Sequence, residues 1–136
     1  MNAIKGEIIQ ITSSGNISLV EAQVEDITMA AIVIGNPENT GYMKIGKKID
    51  LLFKESEVSI ARDFTGEISM RNQLKGSIMK MEKGNVFSKI TFDFKSHPIV
   101  SLITTGSANR LNLKVGDRIT GLIKANEVIL MDAEDE

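Results

Sequence analysis

Cysteine and tryptophan are absent from this chain, histidine and tyrosine occur once each, and phenylalanine only five times. Without cysteine there is no disulfide and no thiolate metal site. A single histidine, His97, is too few for a histidine-based metal centre. With no cysteine and only scattered acids, nothing builds a nucleophile–base pair, so an enzyme is not expected. Aromatic residues make up 4% of the chain, so its core must be built from Ile, Val, Leu and Met. No apolar run approaches the roughly 20 residues of a membrane helix. The start, Met1 to Gly6, lacks a basic segment followed by an apolar one, so no signal peptide is expected and the reading is cytoplasmic. Sixteen basic and 18 acidic residues leave a formal charge of -2. No global field draws in nucleic acid.

What is present is a repeat. Shifted by 70, Lys44-Ile45-Gly46 meets Lys114-Val115-Gly116, and Ile49, Leu52 and Lys54 meet Ile119, Leu122 and Lys124. The front ends agree at the same shift, through Asn2/Asn72, Lys5/Lys75, Gly6/Gly76 and Ile8/Ile78. Gly15-Asn16-Ile17 matches Gly84-Asn85-Val86 at a shift of 69, which reads as one loop residue gained and another lost. Loops absorb such changes at small entropic cost. Two domains are expected, 1–66 and 67–136. Each is small enough to have a thin core, which favours oligomerisation.

Within each repeat the pattern is of short strands. In the first they are expected at 4–11, 17–24, 29–34, 49–53 and 58–61, with Met29 to Ile34 as a buried run. Pro37 and Glu38 suit the first turn of a short helix. In the second they are expected at 74–81, 86–94, 99–104, 119–123 and 128–131. Val86, Ser88, Ile90, Phe92 and Phe94 share one face, and Ser107 is the expected N-cap of a helical turn. Residues 132–136 form an acidic tail, expected to fray. The fold class is all-β: two tandem five-stranded barrels of the oligonucleotide/oligosaccharide-binding (OB) type, each with a short helical turn.

Glu25-Asp26 reads as a solvated turn, and His97 as an exposed loop residue. Single-strand nucleic-acid binding would need aromatic rings on a basic face. Phe87, Phe92 and Phe94 are the only cluster, and Phe92 and Phe94 suit a core or interface better. A small anion needs only backbone N–H groups, hydroxyls and a cation. Ser69, Arg71, Asn72, Thr104, Thr105, Ser107 and Lys124 offer these at element boundaries.

Three stretches of the second repeat go further. Ser69-Met70-Arg71-Asn72-Gln73-Leu74-Lys75-Gly76 resembles the Ser-x-Arg-Asn-x-Leu-x-Gly opening of the Mop (molybdenum-pterin-binding, TOBE-type) domain. Ile103 to Leu111 is similar to its Ile-Thr-x-x-Ser-Ala-x-x-Leu segment, and Val115 to Val128 to its Gly-x-x-Val-x-Ala-Leu-Ile-Lys-Ala-x-x-Val ending. The whole chain resembles a molbindin with two Mop domains in tandem. The resemblance implies an OB-related barrel that binds molybdate, often tungstate too, as an oxyanion between domains or subunits. It implies no organic cofactor and no directly ligated metal. It also implies a homotrimer with a six-domain ring, and a role in storage or homeostasis. The alternative is a regulatory or interaction module that senses the oxyanion or has lost it. Carried over by motif, the oxyanion-binding residues are Ser69, Arg71, Asn72, Thr104, Lys124 and Ala125. Arg71 and Ala125 would act mainly through backbone N–H, and Asn72 could be structural.

The first repeat departs from this pattern. Met1 stands where Arg71 does, Ile34 replaces Thr104, and Glu55 replaces Ala125. A carboxylate beside a dianion is repulsive. Only Asn2 and Lys54 remain as possible contributors from the first domain.

Overall fold

Each half of the chain opens on one long strand that a single extra residue bends. In the computed structural model, which describes residues 1–133, β1 (Asn2–Ser14) is antiparallel to β2 (Ile17–Val24), with a register shift between Ile8 and Gln10. The second half repeats this with β6 (Asn72–Lys83) and β7 (Phe87–Phe94), the shift falling between Ile78 and Lys80. Ile9 and Met79 are the extra residues, and both are exposed. A bulge switches which side chains face inward and increases the local twist. It therefore explains why the inward register of Ile4, Gly6 and Ile8 gives way at Ile9 and Ile11. Each bulge is held by the turn at Lys44–Lys47 or its equivalent. Ile8 N–H donates to Lys47 O at 2.9 Å and Gly46 N–H to Ile8 O at 2.7 Å. Ile78 and Gly116 repeat the pair with Asp117 O and Ile78 O at 2.9 and 2.8 Å.

The remaining strands are β3 (Ile27–Ile34), β4 (Lys48–Phe53), β5 (Ser59–Arg62), β8 (His97–Thr104), β9 (Arg118–Ile123) and β10 (Ile129–Asp132). One helix, α1 (Thr105–Arg110), follows β8, and 3-10 turns at Glu55–Glu57 and Ala125–Glu127 follow β4 and β9. The two sheets have the orders β10-β4-β1-β2-β3 and β5-β9-β6-β7-β8. Within each, the outer strands also meet, β10 with β3 and β5 with β8, so each sheet curls on itself as an OB-like barrel. The architecture is all-β, as expected.

The compact units do not follow the linear boundary at 66/67. One unit contains Met1 with residues 3–53 and 124–133, and the other contains 54–123 together with Asn2. The last strand of each repeat closes the other repeat's sheet. Ser59 to Arg62 pair with Leu122 to Ile119, and Ile129 to Asp132 pair with Leu52 to Ile49. Reading 1–66 and 67–136 as units identifies the repeat. It misses the exchange because both copies present the same kind of edge, and a linear pattern does not say which edge a strand joins.

Other expectations are corrected in detail. The shift of 69 at Gly84-Asn85 involves no insertion or deletion. Gly15 and Asn16 make a two-residue connection with Gly15 at φ 61°, while Gly84 to Val86 make a three-residue one. The flanking strands keep a shift of 70, as the buried pairs Ser18/Ser88 and Val20/Ile90 show. The run Met29 to Ile34 is buried only at Met29, Ala30 and Ala31, and Ile34 is 75% exposed. Residues 35–41 form hydrogen-bonded turns in place of a helix, with Asn36 O accepting from Asn39 and Thr40 N–H at 3.2 and 3.0 Å. Asp132, expected in a frayed tail, closes β10 and binds Lys47 at 2.9 Å. Ala133 is also buried, while 134–136 lie outside the described residues.

The two cores fill the same space differently. In the second unit Phe92 is fully buried and its ring leaves no room for a Cβ at Gly121, while at Gly76 the Asp93 carbonyl excludes one and the Phe92 ring packs beside it. In the first unit Ala22 and Leu51 stand at the positions of Phe92 and Gly121, and both are buried. The large and small members of the pair have changed strands while the fill is kept. Phe92→Ala is expected to lower the unfolding free energy by about 3–5 kcal/mol. Adding Gly121→Leu, which copies the first unit's solution, should recover part of the loss. Urea denaturation of the single and double variants measures both effects.

Candidate functional site

In the second unit β8 ends at Thr104, whose extended backbone (φ -70°, ψ 147°) caps α1. Thr104 Oγ1 accepts from Ser107 N–H at 3.1 Å and donates to Ser107 Oγ at 2.9 Å. The N-cap is therefore Thr104 and not Ser107, because the helix begins directly where the strand stops. Thr105 faces the other way. Its hydroxyl donates to Gly84 O at 2.7 Å and lies 2.8 Å from Ser88 Oγ, which ties α1 to the loop between β6 and β7. The Thr104 side is exposed, and the equivalent position in the first unit carries Ile34. There a hydroxyl donor has been replaced by an exposed hydrocarbon.

The same unit holds Ser69 and Arg71, both exposed, and Asn72, fully buried at the start of β6 opposite Ile123. Among the described residues no buried side-chain nitrogen or oxygen lacks a partner, so Asn72 is a satisfied core amide. Gln73 Nε2 donates to Met70 O at 3.1 Å and pins the chain just ahead of the strand. Asn2 belongs to this unit too. Its amide grips one residue of β8 from both ends, donating to Val100 O and accepting from Val100 N–H, each at 2.8 Å. The Asn2 side chain is thus committed to positioning β8.

Lys124 and Ala125 belong to the first unit. Lys124 is extended (φ -71°, ψ 146°) and precedes the 3-10 turn, with its carbonyl accepting from Glu127 N–H at 3.0 Å. Its ammonium is exposed. Ala125 opens the turn, so its N–H has no acceptor within it. Lys54 has nearly the same backbone (φ -71°, ψ 148°) in the second unit, but Glu55 follows it. The second unit therefore holds Ser69, Arg71, Asn72, Thr104, Asn2 and Lys54, and the first holds Lys124 and Ala125.

One group escaped the linear reading. Arg62, the last residue of β5, donates through Nη1 to Leu111 O at 2.6 Å and to Asn112 O at 3.3 Å, where α1 ends. Its position in the first repeat gave no sign that it would reach a helix of the second.

The remaining candidates resolve simply. Phe92 and Phe94 are buried as expected, which withdraws two of the three clustered rings from any stacking surface and leaves Phe87 exposed. His97 is not in a loop. It opens β8 opposite Phe94, with ring centroids 6.4 Å apart. Glu25-Asp26 is a turn, with Glu25 at φ 53°. Among the described residues no group of three or more His, Cys, Asp or Glu side chains is placed to hold a metal ion. No helix among the described residues is long and apolar enough to cross a membrane. Thr104→Ala is expected to cost about 1 kcal/mol through the lost cap, and Thr104→Ser to cost little. Thermal denaturation distinguishes them.

The model of the TOBE domain family matches residues 68–130. Molybdenum-pterin-binding protein 1 of Clostridium pasteurianum is 32% identical over 65 residues, which are 47% of this chain and 96% of that protein. The molybdenum transport protein ModE of Herbaspirillum seropedicae is 28% identical over 127 residues, 92% of this chain. The chain spans about half (46%) of the length of that relative. Among solved structures, the cytoplasmic molybdate-binding protein ModG, crystallised with molybdate bound, superposes with a TM-score of 0.89 at 26% identity. The match covers 95% of this chain and 94% of ModG. A tandem repeat of OB-like barrels, a second repeat that the TOBE model matches, and a relative aligned over nearly its whole length lead to one assignment: the chain belongs to the TOBE-domain family, as a molbindin-like protein with two Mop domains in tandem.

Proposed function

We propose that the chain binds molybdate, and tungstate through the same contacts, without catalysing a reaction. The observation that carries this reading is the end-to-end likeness to ModG, a molybdate-binding protein. The proposed donors all come from the second repeat of the sequence: the Ser69 and Thr104 hydroxyls, the Lys124 ammonium, and backbone N–H groups of Arg71 and Ala125. Buried Asn72 acts by holding the start of β6, which places Arg71 beside it. Asn2 and Lys54 are then structural remnants of the same pattern, and Ile34 and Glu55 deprive the first repeat of an equivalent set.

A cage made only of donors suits a tetrahedral dianion. Molybdate and tungstate are nearly equal in size, so such a cage barely separates them. Sulfate is smaller and fits loosely. Phosphate is partly protonated near neutral pH and would leave its proton unpaired. The role we propose is cytoplasmic storage or homeostasis by a homotrimer with a six-domain ring.

A second reading, an oxyanion-sensing or interaction module, is favoured by the chain's match to about half of ModE. The sensing form of this reading also predicts binding and the interaction form does not, so the absence of any oxyanion binding would leave only an interaction role.

Calorimetric titration with molybdate, with sulfate and phosphate as controls, is expected to show saturable binding of at least about one molybdate per chain. Lys124→Ala and Ser69→Ala should each weaken it by about tenfold or more, the loss of one charge-assisted contact. No saturable heat with molybdate would overturn the proposal. A solution mass of one chain at micromolar concentration would overturn the trimer.

A further inference from the structure

The exchange of β5 and β10 raises a question that the apolar contacts do not answer. The two strands hold equivalent places in the repeat, although Ser59-Ile60-Ala61-Arg62 and Ile129-Leu130-Met131-Asp132 share no residue. Val58 and Val128 precede them and are both buried, and Ile60 and Leu130 are their central aliphatic residues. Each strand offers a similar inward aliphatic residue to either sheet, and the larger Ile129 and Met131 of β10 are exposed. The discrimination must lie elsewhere.

It lies in charge at two pairs of equivalent positions. At the end of β10, Asp132 binds Lys47 at 2.9 Å in the first unit. Shifted by 70, Lys47 becomes Asp117 and Asp132 becomes Arg62, so both signs are reversed. In the second unit, Arg62 closes β5 and meets the carbonyl oxygens of Leu111 and Asn112. These lie at the negative end of α1, and Asp117 belongs to the same unit. If each strand instead returned to its own repeat's sheet, Arg62 would come to the place of Asp132, beside Lys47. Asp132 would come to the place of Arg62, facing the two carbonyl oxygens in the unit of Asp117. The exchanged arrangement sets Asp132 beside Lys47 and Arg62 against two carbonyl oxygens, with the Asp117 carboxylate held by Lys114 N–H at 2.9 Å in the same unit; the returned arrangement sets Arg62 beside Lys47 and Asp132 against the carbonyl oxygens.

We infer that Arg62 and Asp132, read against Lys47 and Asp117, form a charge code that selects strand exchange between the repeats over strand return. The code also acts against two like repeats of different chains closing on each other, since that pairing meets the same repulsion. Opposed like charges on neighbouring strands are destabilising. Rejecting a wrong partner by repulsion is a recognised route to specificity. Lys47 and Asp132 are 37% and 44% exposed, so the code is a surface effect and weakens with salt.

The absence of cysteine makes the test direct, because introduced pairs cross-link without interference. Met131 is the register partner of Asp50, and Ala61 is the residue equivalent to Met131. In the full chain, Asp50→Cys with Met131→Cys therefore reports exchange, and Asp50→Cys with Ala61→Cys reports return. Neighbouring antiparallel strands bring Cα atoms within disulfide range. With the native charges only the first pair should cross-link. Combining Arg62→Asp with Asp132→Arg should lower the ratio of exchange to return cross-links on the order of tenfold at low salt, from several surface pairs reversed together. The denaturation midpoint should fall with it, and the shift should shrink at 1 M salt. Further inversion by Lys47→Asp with Asp117→Lys should move the ratio back toward the native value, the midpoint being held down by the lost Lys114 N–H to Asp117 bond. This second variant keeps the test valid even if the first folds poorly. An unchanged ratio in the charge-inverted chain, or a ratio in the four-fold variant no higher than in the charge-inverted chain, would overturn the inference.

Discussion

Main-chain pairing of β5 with β9 and of β10 with β4 is the constraint on which the rest of the structure depends. Each barrel is a sheet that must close, and an open edge leaves a row of unpaired N–H and C=O groups. Here the closing strand comes from the other repeat. The consequence is that neither repeat contains all five strands of its own barrel. The strand-forming pattern of 59–62 belongs to the first repeat in sequence and to the second unit in space.

That constraint also governs how the cores are filled. The bulges at Ile9 and Met79 bend the long first strand of each half, and the turns at Lys44–Lys47 and Lys114–Asp117 lock the bends by pairs of backbone hydrogen bonds. Inside the resulting barrels the volume is apportioned differently, with Phe92 over Gly76 and Gly121 in one and Ala22 beside Leu51 in the other. Gly6 and Gly76 are common to both, so Phe92 and Gly121 do in the second unit what Ala22 and Leu51 do in the first. The backbone is common to both and the packing is not, as expected when volume is kept and shape is free to vary.

The same backbone carries different side chains at the proposed site positions of the two copies. Thr104 and Ile34 occupy one backbone position, as do Ala125 and Glu55, and Lys124 and Lys54 share nearly the same dihedral angles. The scaffold for holding donors is therefore present twice, while the side chains suited to an oxyanion are present once. Asn72 and Asn2 are the contrasting case. They persist in both copies because each is buried where an unpaired amide would be costly, and Asn2 meets that cost by holding Val100 at both its N–H and its C=O. A motif residue can mark a site while doing structural work beside it.

The sequence by itself determined the all-β class, the duplication at a spacing of 70, the positions of nearly every strand, and the imbalance between the repeats. These are local properties: alternation of apolar residues, turn residues between strands, and side-chain chemistry at matched positions, all of which can be read along one dimension. It also pointed to Thr104 as a residue of interest while misplacing the helix cap on Ser107, because a cap depends on where the strand's last hydrogen bond falls. His97 was read as a loop residue for a related reason, since Pro98 suggested a break where the edge strand in fact begins. Only the tertiary structure decided which sheet each closing strand joins, where Arg62 finds its acceptors, and how Phe92 is accommodated. These depend on contacts between residues far apart in the chain, and two near-identical edges offer the linear pattern no way to choose. The choice rests on charges such as Arg62 and Asp132, whose partners become visible only once the sheets have closed.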